Sequence, residues 1–213
     1  MPELAHFPTV SDFTYWIGIA AVAVFAVTGV LEAGRKGMDI VGVAMVALAT
    51  ALGGGTARDL LLDRPVFWVA DQTYLLATLG AAFATYFLAR SVHLPPKLFL
   101  IPDAIGLALF SIAGTQIALD GNTSWLVASL MGVVTGVFGG VLRDIFCAEI
   151  PLVFLPGELY ASAAWAGALA LVGLRQAGVD EVTAGWIGMV VVLALRLVAM
   201  RLRLRLPPFR VRK

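Results

Sequence analysis

Seven apolar stretches, each about as long as a bilayer-spanning helix, dominate this sequence. A helix needs roughly 20 mostly apolar residues to cross the hydrocarbon core of a membrane. Short connections join the stretches, so no segment is left for a separate soluble domain. The pattern predicts an all-α polytopic membrane protein, one transmembrane domain over residues 1–213 with seven transmembrane helices. The stretches cover about residues 13–31, 40–62, 72–88, 98–119, 124–146, 159–174 and 182–200.

Composition excludes most soluble classes of protein. Hydrophobic residues make up 60% of the chain and charged residues 14%, whereas soluble domains have about 45–50% apolar and about 25% charged residues. Cys147 is the only cysteine, and His6 and His93 are the only histidines, so we expect no disulfide and no metal site. Neither a nucleotide-binding motif nor a catalytic constellation is present. We therefore expect no enzymatic activity and no bound cofactor.

The sequence repeats itself at a spacing of 85 residues. The segment TALGGGTARD (50–59) aligns with TGVFGGVLRD (135–144), and FAVTG (25–29) aligns with FSIAG (110–114). Farther along, Pro65 and Tyr74 align with Pro151 and Tyr160 at a spacing of 86. The first repeat unit thus covers about residues 13–91 and the second about residues 98–175. A seventh helix at about 182–202 has no counterpart in the repeat.

Each repeat unit contains an odd number of spans, three, so the second copy enters the membrane from the opposite side. The predicted architecture is an inverted three-helix repeat, spans one to three and four to six, plus the seventh helix. Such folds place substrate or ion sites near the membrane midplane, at interrupted helices.

The cations orient the predicted helices, because cytoplasmic loops are rich in Lys and Arg. Most lie on one side if the C-terminus is cytoplasmic and the N-terminus is outside: Arg35, Lys36, Arg90, Lys97, Arg201, Arg203, Arg205, Arg210, Arg212 and Lys213. The basic tail is expected to meet anionic membrane lipid.

Glycine runs interrupt the second and fifth apolar stretches, and they admit two interpretations. Glycine costs about 1 kcal/mol relative to alanine inside a helix, so a run of glycines should loosen or kink it. Carbonyls freed by a kink would suit a cation. Alternatively, the small residues let two helices pack closely. We favour a functional pore kink at Gly53, Gly54, Gly55, Gly139 and Gly140.

A small set of charged residues follows these glycines. Arg58 and Arg143 lie about one turn beyond them, and each is followed by an aspartate, Asp59 or Asp144. A charge inside the membrane is costly, so these residues should face a polar interior or reach toward an interface. Neighbours in a helix sequence do not face each other. We therefore expect poor pairing within each Arg-Asp dipeptide and a partner on another span.

Several further polar residues are candidates for lining or gating a polar path. Asp103 either lines it or only complements a helix dipole in a first turn. Thr50 and Thr135 line it unless their hydroxyls bond to the helix backbone. Tyr74 and Tyr160 are related by the repeat, and the alternative is an interfacial aromatic belt.

Three segments are GGGTARDLLLDRPVFW (53–68), DAIGLALFSIAG (103–114) and GGVLRDIFCAEIPLVF (139–154). They resemble the prokaryotic members of the TRIC family, the trimeric intracellular cation channels, and the resemblance covers about residues 13–200. The same domain family also carries the label "glycine transporter". The chain has Gly-Gly-Val at 139–141 where animal members carry another glycine-rich variant. It also lacks their basic loop motif for phosphoinositide binding.

The resemblance implies a homotrimer in which each subunit holds its own pore. It implies that kinked second and fifth helices line this pore and that monovalent cations permeate, chiefly potassium and also sodium. It also implies that Arg58 and Arg143 lie near the pore and act in gating. We expect self, membrane lipid and monovalent cations as partners, with no nucleic acid. A prokaryotic plasma membrane is the expected location.

Two functions stay open from the sequence. A passive cation channel fits the broken helices, the repeat and the resemblance. A secondary transporter of a small zwitterion such as glycine fits the inverted repeat equally well, because a half-helix N-terminus and an arginine can hold a carboxylate. A membrane scaffold without transport fits the midplane repeat poorly.

Overall fold

All regular structure in the described part of the chain is helical. The computed structural model describes residues 10–90, 95, 98–155, 159–202 and 204. The elements are α1 (Asp12–Arg35), α2 (Ile40–Leu61), α3 (Phe67–Ala70), α4 (Thr73–Arg90), α5 (Leu100–Asp120), α6 (Trp125–Phe146), a 3-10 turn (Leu152–Phe154), α7 (Ala161–Gln176) and α8 (Glu181–Leu202).

The seven longer helices coincide with the seven apolar stretches. Five of those described are long and apolar enough to cross a membrane, namely α1, α2, α5, α6 and α8. Large apolar side chains point outward from the bundle, as with Leu60 at 67% and Trp16 at 66% exposure. This surface is what lipid contact requires, because water would not solvate so many exposed apolar groups. Seven spans and the direction of the termini stay predictions.

Part of the cation pattern used for orientation lies outside the described residues. This applies to Lys97 and to the tail residues Arg203, Arg205, Arg210, Arg212 and Lys213. His6 and His93 also lie outside them. Among the residues that are described, no group of three or more histidines, cysteines and carboxylates could hold a metal ion.

Local backbone geometry recurs at the spacing of 85 residues. Asp39 caps the N-terminus of α2 by accepting from the Gly42 amide, and Ser124 caps α6 by accepting from the Val127 amide. Just after these helices, Asp63 and Ala148 both have positive φ, 51° and 54°. The short α3 and the 3-10 turn then begin at equivalent positions. The two halves therefore build the same sequence of local structures.

Helices α1 and α5 pack against each other in opposite directions. The rings of Phe25 and Phe110 are 5.1 Å apart near the middle of the two helices. Toward the start of α1, Gly18 shares a cavity with Ala113 and Ile117, which lie toward the end of α5. Helices α2 and α6 pack beside this pair, while α8 packs against α5 and α7. Equivalent helices thus meet at the centre of the bundle.

Candidate functional site

The glycine runs lie where α2 crosses α6. Each helix continues through its glycines as one α-helix, so helical structure is unbroken at 53–55 and 139–140, and a kink at these positions stays a prediction. A β carbon at Gly54 would lie 2.1 Å from the Thr135 carbonyl oxygen, and one at Gly139 would lie 2.2 Å from the Thr50 carbonyl oxygen. These reciprocal contacts match the packing interpretation, because only glycine allows the two backbones to approach so closely.

The other three glycines make room for side chains around the crossing. A β carbon would lie 2.3 Å from Leu142 Cδ1 at Gly53 and 2.4 Å from a ring carbon of Phe67 at Gly55. At Gly140 it would lie 2.9 Å from the Tyr160 hydroxyl. Gly55 and Gly140 therefore open space next to the charged residues one turn farther along each helix.

Thr50 and Thr135 are buried at this crossing. Each hydroxyl donates to a backbone carbonyl one turn earlier, Thr50 to Val46 and Thr135 to Met131, both at 2.6 Å. This is the alternative raised for helical threonines, since such a bond hides the hydroxyl within its own helix. The threonine carbonyls, rather than their hydroxyls, contact the opposite helix.

Arg143 lies at the centre of a buried charged cluster between α6 and α5. Its Nη1 donates to Oδ1 of Asp103 at 2.5 Å, and its Nε donates to Oδ1 of Asp144 at 2.8 Å. The Tyr160 hydroxyl also donates to Oδ1 of Asp103, at 3.1 Å. Side-chain exposure is 0% for Arg143 and Asp103. One guanidinium is therefore paired with two carboxylates inside the bundle.

Arg58 forms the equivalent cluster at the end of α2. Its Nε donates to Oδ1 of Asp59 at 2.8 Å, and its guanidinium lies 5.6 Å from the centre of the Phe67 ring. Asp59 also accepts from the Phe67 amide through Oδ2, as Asp144 accepts from the Leu152 amide, both at 2.9 Å. Each aspartate thus fixes the chain that follows its helix.

The expectation of poor pairing within each Arg-Asp dipeptide is wrong. The rule for helix neighbours concerns directions at the β carbons, whereas arginine is long enough to turn its Nε and Nη2 edge toward the next residue. Burial then removes the water that would compete for the carboxylate. The expected partner on another span is confirmed for Arg143, since Asp103 belongs to α5.

Asp103, Tyr74 and Tyr160 are interior residues. Asp103 lies in the first turn of α5, but it is fully buried and paired. Tyr74 and Tyr160 are only 8% and 2% exposed, so they do not form an interfacial belt. Because α1 and α5 run in opposite directions, the cluster of Arg58 near the start of α1 and that of Arg143 near the start of α5 lie at opposite ends of the bundle.

Sequence reasoning missed three residues of these clusters. Arg196 of α8 is fully buried and its guanidinium lies 5.0 Å from the centre of the Tyr160 ring. Phe99 packs against Arg143, and its ring centre lies 4.9 Å from the guanidinium carbon. A lone arginine within the apolar stretch at 182–200 was the available signal for Arg196. Gly18 occupies the position of the first half that Asp103 occupies in the second, and the repeat alignment could have revealed it.

Comparison with known proteins gives consistent relatives. The family model described as "Glycine transporter" matches residues 15–90 and again residues 100–176. The UPF0126 inner membrane protein YadS of Escherichia coli (strain K12) is 43% identical over 198 residues, 92% of this chain and 95% of that protein. The UPF0126 membrane protein YvgT of Bacillus subtilis is 35% identical, covering 81% of this chain and 80% of its own length.

Solved structures give the same picture. The TRIC trimeric intracellular cation channel orthologue from Rhodobacter sphaeroides matches with a TM-score of 0.86 and 39% identity, over 91% of this chain and all of that one. A second TRIC cation channel matches with a TM-score of 0.83 and 32% identity, over 93% of this chain and 98% of that one.

Proposed function

The chain belongs to the prokaryotic TRIC family, whose sequence model is described as "Glycine transporter", and from this membership we propose that it is a cation channel. It is an integral protein of the inner membrane. Support for the activity comes chiefly from one observation, the likeness over the whole fold to a solved TRIC cation channel at 39% identity. Potassium is the proposed main permeant ion, with sodium as a second.

The proposed pore lies inside each subunit and is lined by α2 and α6. These helices cross at Gly54 and Gly139, and each leads to a buried arginine beyond the crossing. Arginines without a carboxylate partner would repel a cation that enters the pore at either end. Here Arg58 is neutralised by Asp59, while Arg143 is shared by two carboxylates, Asp103 and Asp144. The pairing supports cation passage, because neither end presents an uncompensated positive charge to the path.

A bend of α2 and α6 at the glycines is the proposed means of opening this path. The close backbone contact at Gly54 and Gly139 supports such a role, because a small change of crossing angle would separate the two helices there. Gating by Arg58 and Arg143, through exchange of their carboxylate partners, belongs to the same proposal.

The proposed topology is seven spans with an inverted repeat, N-terminus outside and C-terminus cytoplasmic. The opposite directions of α1 and α5 support it, because these helices occupy equivalent places in the two halves. The proposed assembly is a homotrimer in contact with membrane lipid. Its support is the assembly of the Rhodobacter sphaeroides relative, which is described as trimeric.

The competing function is secondary transport of a small zwitterion such as glycine. Proteoliposomes loaded with potassium separate the two activities. A channel releases potassium on addition of a second permeant cation, at a rate proportional to the gradient and unaffected by glycine. Saturable uptake of labelled glycine, without potassium release, would replace the channel by a transporter.

A further inference from the structure

The second half of the chain holds a carboxylate with two converging donors. Oδ1 of Asp103 accepts from Arg143 Nη1 at 2.5 Å and from the Tyr160 hydroxyl at 3.1 Å. A guanidinium and a phenol together make a strong site for a carboxylate, because charge-assisted hydrogen bonds are the strongest in proteins. All three side chains are buried.

The first half retains both donors but not the carboxylate. Arg58 stands for Arg143 and Tyr74 stands for Tyr160, whereas Gly18 stands for Asp103. Gly18 is in the right place, because a β carbon built on it would lie 3.3 Å from the Tyr74 hydroxyl. Within the part of the chain that the structure describes, Asp59 is the only carboxylate paired with Arg58. The Tyr74 hydroxyl makes no hydrogen bond to any residue that the structure describes.

A cavity lies beside Gly18. Its volume is about 250 Å³, and Gly18, Arg58 and Tyr74 all line it. Thr14 and Phe67 contribute to the wall. The cavity therefore combines room for a small molecule with the same two donors that bind a side-chain carboxylate at the other end of the bundle.

We propose that this cavity binds a small monocarboxylate from solution, held by Arg58 and Tyr74 as Asp103 is held by Arg143 and Tyr160. The bound ion gives Arg58 a second carboxylate partner beside Asp59, as Arg143 has Asp103 beside Asp144. The proposal does not depend on ion conduction, since it concerns a binding site defined by the repeat.

The other charges that line the cavity leave these donors available. Asp59 accepts from Arg58 through Oδ1 and from the Phe67 amide through Oδ2. Asp71 accepts from the Tyr15 hydroxyl at 3.0 Å and from the Thr73 amide at 2.8 Å. Both acids are thus engaged in their own hydrogen bonds, and Arg64 adds a second cation to the wall.

Formate is the simplest probe of the site. The thermal unfolding midpoint of the purified protein in detergent is measured in sodium formate and in sodium chloride at equal ionic strength. Ligand that binds the folded state raises the midpoint with concentration. We expect a rise in formate beyond that in chloride. Tyr74→Phe weakens formate binding about tenfold through loss of one charge-assisted hydrogen bond, whereas Tyr86→Phe on the same helix leaves it unchanged.

Substitution at Gly18 supplies the carboxylate within the chain. Gly18→Asp is expected to abolish the formate effect and to raise the midpoint measured without formate. Gly18→Asn has the same size but no charge, so it gives no such rise. Equal protection of the original protein by formate and chloride would overturn the proposal. So would formate binding in Tyr74→Phe that is as strong as in the original protein, or a Gly18→Asp protein no more stable than Gly18→Asn.

Discussion

Arg143 on α6 donates to Asp103 on α5 at 2.5 Å, and both side chains are completely buried. Asp144 pairs with the same guanidinium, so Arg143 is shared by two acids. Charged groups this deep in a membrane protein are costly unless they are paired. The pair therefore ties α5 to α6 and constrains how these helices can move relative to each other.

Loss of the Asp103 carboxylate should destabilise the fold. Asp103→Asn keeps the size of the side chain but removes the charge that compensates Arg143. Breaking a buried ion pair costs about 3–5 kcal/mol, and the lower end applies because Asp144 stays in place. The thermal midpoint in detergent, followed by tryptophan fluorescence, should fall clearly.

Asp63→Asn is a matched control for this substitution. Asp63 is exposed and has a positive φ of 51°, which asparagine also tolerates. The thermal midpoint of the Asp63→Asn protein should equal that of the original protein within experimental scatter. An Asp103→Asn protein as stable as this control would show that the buried pair contributes little.

Alanine at the glycines of the crossing should separate α2 from α6. A β carbon at Gly54 or Gly139 would approach a backbone carbonyl oxygen of the other helix at 2.1 or 2.2 Å. Overpacking of this kind costs about 1–3 kcal/mol. We expect Gly54→Ala and Gly139→Ala to lower the thermal midpoint and to change ion flux in proteoliposomes.

Two other helix glycines provide the comparison. Gly80 in α4 and Gly173 in α7 have no atom within 4 Å of an added β carbon. Alanine at Gly80 or Gly173 should leave the free energy of unfolding unchanged, or raise it by up to about 1 kcal/mol because alanine has the higher helix propensity. If Gly54→Ala behaved like Gly80→Ala, the close crossing of α2 and α6 would be wrong.

Acid should weaken a surface contact between the two halves. Glu149, in the loop after α6, lies 2.6 Å from Lys36 Nζ and 2.9 Å from Arg35 Nη2. Hydrogen bonds from Lys36 and then Arg35 lower the pKa of Glu149 below its usual value. The stabilisation is therefore fully present above the ordinary glutamate pKa of about 4.3. It is lost as the pH falls through the lower pKa of the folded protein.

Glu149→Gln removes this dependence. The difference in thermal midpoint between the original protein and the variant should be small and constant from pH 5 to 7, because exposed pairs contribute little. It should shrink as the pH is lowered below about 4. A difference that grows in acid would contradict the sign derived from the ion pair.

The sequence located the helices well, because apolar runs and polar connections follow directly from the bilayer. The predicted stretch at 124–146 corresponds to α6 at Trp125–Phe146, and that at 182–200 to α8 at Glu181–Leu202. The short α3 and the 3-10 turn were not predicted. Three or four residues carry too little periodicity to reveal an element, and both are held by the Asp59 and Asp144 carboxylates.

The sequence predicted which residues belong to the site but not which of them contact each other. Alignment of the two halves singled out Arg58, Arg143 and their neighbouring aspartates, since charge inside an apolar stretch needs a reason. Which side chains meet depends on helix packing, and sequence spacing gives no information about it. The contact of Arg143 with Asp103 became visible only in three dimensions, whereas the replacement of that acid by Gly18 in the other half follows from the repeat alignment.

Unitary currents in a planar lipid bilayer test the cation channel most directly. Purified protein is incorporated between solutions of unequal potassium chloride concentration, and the reversal potential of single current steps is measured. A cation channel gives discrete steps that reverse near the equilibrium potential of potassium, which is the result we predict. Reversal near the chloride potential, or the absence of steps from protein that takes up glycine in proteoliposomes, would contradict it.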